Sequence, residues 1–109
     1  MNLIESETEL QQFVAEHPIA AIYFSSESCS VCHVLKPKVA AMLNEEFPKA
    51  ALAEVDCGHS QEIAGQLSVF AVPTLILYFD GREAVRHSRS FSLGAVRGDI
   101  ERPYSMFYD

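Results

Sequence analysis

The sequence has no tryptophan, only three cysteines, and five residues each of glycine and proline in 109. So few cysteines exclude a disulfide-stapled scaffold, and so little glycine and proline exclude a collagenous or low-complexity chain. Positive charge is also scarce. Eight Lys and Arg stand against fifteen Asp and Glu, a formal charge of −7, which argues against nucleic acid as a partner. No apolar run approaches the length that spans a bilayer, the longest being Pro18 to Phe24, so no membrane partner is expected. The start, MNLIESETEL, carries glutamates where an export signal carries Lys or Arg, and a cytoplasmic location is expected. What is present is 49% hydrophobic residues, enough for one domain over residues 1–109 that folds without a metal or cofactor.

The elements read in the order α-β-α-β-α-β-β, followed by a weak last helix. Ser6 and Glu9 form a capping box before Leu10, Phe13 and Val14, and Pro18 ends that helix. Ile19 to Phe24 has the continuous apolar pattern of a central strand covered on both faces. From Ser30 to Phe47, Val31, Leu35, Val39, Met42, Leu43 and Phe47 recur at helical spacing around Pro37. Ala51–Asp56 reads as a strand and Ser60–Leu67 as a short helix capped by Ser60. Leu75–Phe79 and Glu83–Arg89 form a hairpin about Asp80-Gly81. A final helix through Leu93, Val96 and Ile100 is weakened by Gly94 and Gly98. Pro103 is expected to stop it, leaving an aromatic tail over residues 103–109.

The chemistry concentrates at Cys29-Ser30-Val31-Cys32. This pair sits where a buried strand ends and a helix begins, so the first thiol should meet free backbone N–H groups and the positive end of the helix dipole. The second falls one turn into the helix, within reach of a short disulfide. Two other readings use the same residues. Cys29-Ser30-Val31-Cys32-His33 has the form of a haem-attachment motif, and Cys29, Cys32, His33 and Cys57 could supply zinc or iron–sulfur ligands. Neither has its usual context, since no export signal is expected for the one and no common ligand spacing is present for the other. His33 is expected to be exposed on the first helical turn, Cys57 to be a partly buried thiol, and Arg86, His87 and Arg89 to form a solvated strand edge.

Taken together, the strand Ile19–Phe24, the Cys29/Cys32 motif, Pro37, Val55-Asp56 with its short helix, Val72-Pro73-Thr74 and the Asp80-Gly81 hairpin resemble the thioredoxin superfamily. The resemblance covers nearly the whole chain. It implies an α/β fold with a central mixed sheet flanked by helices. By the same resemblance Cys29 is the attacking nucleophile, Cys32 the resolving thiol, and Pro73 a cis-proline facing them. Val72 then offers its backbone to a bound peptide.

The departures from that family are specific. Ser28 replaces the aromatic residue before the first cysteine. Tyr23 replaces the buried acid of the central strand, and Glu54 stands where a lysine is usual. In the family's register Tyr23 and Glu54 lie side by side beneath the helix that carries Cys32. The tyrosine hydroxyl is then expected to donate to the Glu54 carboxylate, which takes the Cys32 proton directly or through one water; the alternative is that Glu54 turns to solvent and pairs with a surface lysine. Site residues are thus Cys29, Cys32, Glu54 and Tyr23 for catalysis, and Val72, Pro73 and Ser28 for substrate. The implied function is a thiol–disulfide oxidoreductase that reduces protein disulfides, supplied with electrons by a thiol or a thioredoxin-reductase-type donor, as a monomer or weak dimer. The alternative is a redox-sensing or protein-binding module of the same fold with little turnover.

Overall fold

The structure, a computed structural model, describes residues 1–108. Its elements are β1 (Asn2–Leu3), α1 (Glu7–Glu16), β2 (Ile19–Ser25), α2 (Ser30–Glu46), β3 (Ala51–Asp56), α3 (Gln61–Gln66), β4 (Thr74–Phe79), β5 (Arg82–Ser88) and α4 (Leu93–Tyr108). One mixed sheet runs β1-β3-β2-β4-β5. The three N-terminal strands are parallel, and β4 and β5 are antiparallel to their neighbours.

Why β2 is central follows from its composition. All seven of its residues are buried, a pattern that needs a strand on either edge and helices on both faces. Ala20, Ile22 and Phe24 point into the core beneath α1 and α3, with Ile76 and Tyr78 of β4. Ile19, Ala21 and Tyr23 point the other way, into the core beneath α2 and α4, with Leu75 and Leu77. The hairpin between β4 and β5 turns on Asp80 (φ 53°) and Gly81 (φ 82°), the pair of positive φ values that a two-residue turn of the favoured hand demands. Ser6 caps α1 as its sequence indicates, its side chain accepting from the Glu9 N–H at 3.1 Å. Ser60 occupies the N-cap of α3 but makes no capping bond with its side chain.

Two expectations are corrected. The first helix is preceded by a short strand, β1, which pairs Asn2 with Ala53 and Leu3 with Glu54 and seats Ile4 in the core. Two residues are too few to show an alternation, so no sequence pattern announces them. At the other end α4 does not stop at Pro103 but continues to Tyr108. An interior proline costs about 3 kcal/mol. Aromatic packing offsets it: Tyr104 lies edge-on to Phe47 at 5.2 Å and 4.8 Å from Tyr108, so the supposed tail covers the core as a helix. The Tyr104 hydroxyl accepts from the Lys49 N–H at 3.1 Å, and the Tyr108 hydroxyl accepts from the Ile19 N–H at 3.3 Å. Phe107 is exposed, and Asp109 lies outside the described residues.

Tyr104→Ala should therefore lower unfolding free energy by about 2 kcal/mol, the scale of a half-buried aromatic lost from a packed site. Urea titration checks this, and an unchanged midpoint would return residues 103–108 to the status of a loose tail.

Candidate active site

The carboxyl ends of β2 and β3 and the start of β4 meet at one end of the sheet. Ser25 stands opposite Asp56, and Phe24 stands opposite Thr74, which brings Pro73 abreast of the loop leaving β2. That loop ends at Cys29, the N-cap residue of α2. Cys29 and Cys32 are joined in a disulfide with their Cα atoms 5.2 Å apart. The Cys29 sulfur also accepts the Cys32 backbone N–H at 3.1 Å, so a thiol occupies the position where helices ordinarily place a serine or aspartate oxygen. An anion there receives both an N–H and the positive end of the dipole of a 17-residue helix.

The two sulfurs differ in access. Cys29 is half-buried, whereas Cys32 is 1% exposed. His33 is exposed on the first turn as expected, its ring nitrogen 2.9 Å from the Glu27 carbonyl oxygen. Beneath the motif, Tyr23 is fully buried and its hydroxyl donates to the Cys32 carbonyl at 2.8 Å. Burial, and secondarily the Glu54 carboxylate, push its pKa up to about 12.

The expected bond from Tyr23 to Glu54 is not formed. The two residues are register partners, but Glu54 accepts from the Lys36 ammonium at 2.7 Å and the Ser25 hydroxyl at 2.8 Å. A charge-assisted partner outcompetes a neutral phenol for a carboxylate, and the phenol takes the helix carbonyl instead. Glu54 is partly buried, its side chain 16% exposed, and it bonds Lys36 on the helix that bears Cys32. A lysine partner for Glu54 was the alternative reading, but neither Lys36 nor Ser25 was named from the sequence as that carboxylate's partner. Their signal was spacing, since Ser25 shares a strand face with Tyr23, and Lys36 lies one turn after Cys32.

The Val72–Pro73 peptide is cis, Pro73 is buried and Val72 half-buried. The Pro73 carbonyl accepts from the Arg89 N–H at 2.6 Å. Two grooves flank the motif. One, of about 660 Å³, is lined by Ser28, Glu27, Asp56 and Glu5 together with His59, which pairs with Glu5 at 3.1 Å. The other, of about 470 Å³, begins at Ser30 and runs along α2 between Val31, Lys38, Arg89 and Phe91. The expected solvated edge of β5 is more varied than its composition. Arg86 pairs with Glu83 at 2.9 Å and His87 with Asp99 at 2.6 Å, while Arg89 leaves the strand to line the second groove.

Cys57 is the free thiol. It is half-buried against the core, its N–H donates to the Ser25 carbonyl at 2.8 Å, and burial with the adjacent Asp56 carboxylate pushes its pKa up to about 11. Among the described residues, no three of His, Cys, Asp or Glu form a group that could hold a metal, so Cys29, Cys32, His33 and Cys57 are not assembled as ligands. No helix among them is long and apolar enough to cross a membrane.

A helix-capping, half-exposed cysteine bonded to a buried one defines a class: proteins that exchange disulfides through a dithiol. The thioredoxin family model matches residues 2–99, and the chain belongs to that family. It is 31% identical over 107 residues to the thioredoxin-like protein YdfQ of Bacillus subtilis, covering 98% of this chain and 95% of that one. It is 40% identical over 68 residues to the thioredoxin of Chlamydia trachomatis, covering 62% and 66%. The crystal structure of Fasciola hepatica thioredoxin superposes with a TM-score of 0.84 at 30% identity, covering 94% of this chain and 98% of that one. The fold is thus thioredoxin-like, and the protein is a thiol–disulfide oxidoreductase.

In the reduced protein, iodoacetamide near neutral pH should label Cys29 first. Cys57 should react about tenfold or more slowly than an open thiol, because its raised pKa leaves little thiolate, and its rate should climb toward pH 11. Peptide mapping by mass spectrometry resolves the three sites, and fast labelling of Cys57 would contradict its placement. Tyr23→Phe should cost about 1 kcal/mol in urea unfolding, the worth of one buried hydrogen bond.

Proposed function

We propose that the protein works as a protein-disulfide reductase of the cytoplasm, acting as a monomer or weak dimer. The observation that carries this reading is the Cys29 sulfur, half-exposed at the head of α2 and accepting the Cys32 N–H. In the reduced state that N–H and the helix dipole hold Cys29 as a thiolate. The thiolate attacks one sulfur of a substrate disulfide. A mixed disulfide forms, and the other substrate sulfur leaves as a thiolate that takes a proton from solvent. Cys32, once deprotonated, attacks the Cys29 sulfur, closes the internal disulfide and expels the second substrate sulfur as a thiolate that takes a proton from solvent. Two electrons pass from the dithiol to the substrate, and an external thiol or a thioredoxin-reductase-type donor returns them.

Val72, Pro73 and Ser28 are the proposed peptide contacts, since the loop before β4 and the loop before α2 border the cysteines at the same sheet end. A small serine in place of an aromatic ring leaves Cys29 open on that side. Glu54 is the proposed acceptor of the Cys32 proton, acting through water from its seat beside Lys36. Tyr23 is a positioning residue in this scheme: its hydroxyl fixes the Cys32 carbonyl and with it the first turn of α2.

Insulin reduction with dithiothreitol, or with NADPH and a thioredoxin reductase, tests the reading. Turnover above the uncatalysed rate, abolished by Cys29→Ser, is expected. Reversible oxidation without turnover would instead make the protein a redox sensor. Glu54→Gln should slow reduction several-fold near neutral pH and change the shape of the pH–rate profile. A profile identical to that of the unmodified protein would remove Glu54 from the proton route.

A further inference from the structure

The groove that begins at Ser30 has features that disulfide exchange does not itself require. Its helix side is apolar, with Val31 and Val34 59% and 60% exposed, and Phe91 lies across from them. Its charged members are Lys38 and Arg89, and no carboxylate is among its lining residues, although the chain has fifteen acids to eight bases. Lys36, Arg86 and Arg97 all have carboxylate partners within 3 Å. Among the described residues Lys38 and Arg89, like Lys49, Arg82 and Arg102, have none within ion-pair distance, and of these five only Lys38 and Arg89 line this groove. Across the motif, the other groove is lined by Glu5, Glu27 and Asp56. The two sides of Cys29 thus carry opposite charge.

Arg89 adds a second, independent observation. Its φ is 65°, a left-handed conformation in which a side chain crowds its own backbone and which glycine adopts freely. The turn needs that conformation to deliver the Arg89 N–H to the Pro73 carbonyl at 2.6 Å. A long cationic side chain at this position is a local cost to the backbone, and such strain concentrates where the side chain has work to do.

We propose that this groove selects among disulfide substrates, favouring those with an apolar and an acidic residue close to the attacked cysteine, the acid being read by Arg89 and Lys38. The inference rests on the reductase reading of Cys29 and Cys32. Val31, Val34, Leu35 and Lys38 share one helix face over about 10 Å, at 1.5 Å per residue. That length accommodates about three residues of extended chain, so the acid falls about three residues from the substrate cysteine. The carboxylates of the opposite groove, Glu5, Glu27 and Asp56, discourage the substrate's acidic residue from lying on that side, while Ser28 still borders the attacked disulfide.

The test uses disulfide-linked peptide homodimers, identical except for Glu, Gln or Lys placed about three residues to either side of one cysteine with leucine beside it. Reduced protein is mixed with each, and the initial rate of reduction is measured. The Glu peptide should react about fivefold or more faster than the Lys peptide at low ionic strength, with the ratio shrinking in high salt. Arg89→Gln and Lys38→Gln should each lower the ratio, and the double variant should bring it close to unity. Arg102→Gln, on α4 and not among the groove's lining residues, should leave it unchanged. Arg89→Gly should lower the ratio with Tm unchanged or raised, because glycine relieves the backbone. Equal rates for the Glu and Lys peptides, with the Gln peptide readily reduced, would overturn the selectivity and leave the reductase standing. An Arg89→Gly variant that loses stability but keeps the ratio would equally overturn it. Failure to reduce any of the peptides would remove the reductase reading and this inference with it.

Discussion

The burial of β2 is the constraint on which the site depends. Six of its seven residues have no exposure, and Ser25 at its end has 6%. A strand enclosed in this way cannot leave polar groups at its end unpaired, because no water is there to satisfy them. Each pairing at that end locates a part of the site. The Ser25 carbonyl accepts from the Cys57 N–H, its hydroxyl donates to Glu54, and the Tyr23 hydroxyl donates to the carbonyl of Cys32. The first turn of α2 is thereby held to the sheet by a bond from the centre of the core.

That anchorage explains how two cysteines separated by only two residues acquire different chemistry. The helix geometry places one at the cap, facing an N–H group and the loop, and turns the other inward over Tyr23. Neither needs a nearby charged residue to be distinguished from its partner. The ion pair between Lys36 and Glu54 adds a compensated charge under the same helix, where an unpaired carboxylate would be costly.

Much of this was legible in the residues. Continuous apolar character marks Ile19–Phe24, and the position of Cys29-Ser30-Val31-Cys32 after it marks the strand-to-helix junction. What was not legible has physical reasons. β1 is too short to carry a pattern, and Pro103 outweighed the aromatic residues after it because propensity is local while the packing of Tyr104 on Phe47 joins distant segments. The register of Tyr23 with Glu54 was readable, but not their hydrogen bonds. Those depend on Lys36 and Ser25 competing for the same carboxylate, which strand register alone cannot express. Arg89 read as one of several edge cations, since nothing in a residue's type announces a positive φ.

The contact of Tyr108 with the Ile19 N–H closes a span of 89 residues. It joins the last turn of α4 to the first residue of the central strand, so no local segment can form it early. Loop-closure entropy for so long a span is repaid only when the intervening sheet is already assembled. The final turn of α4 should consequently be among the last parts to consolidate in folding and among the first to open. Its amides should exchange with solvent through small local openings, while those of β2 wait for the molecule to come apart as a whole.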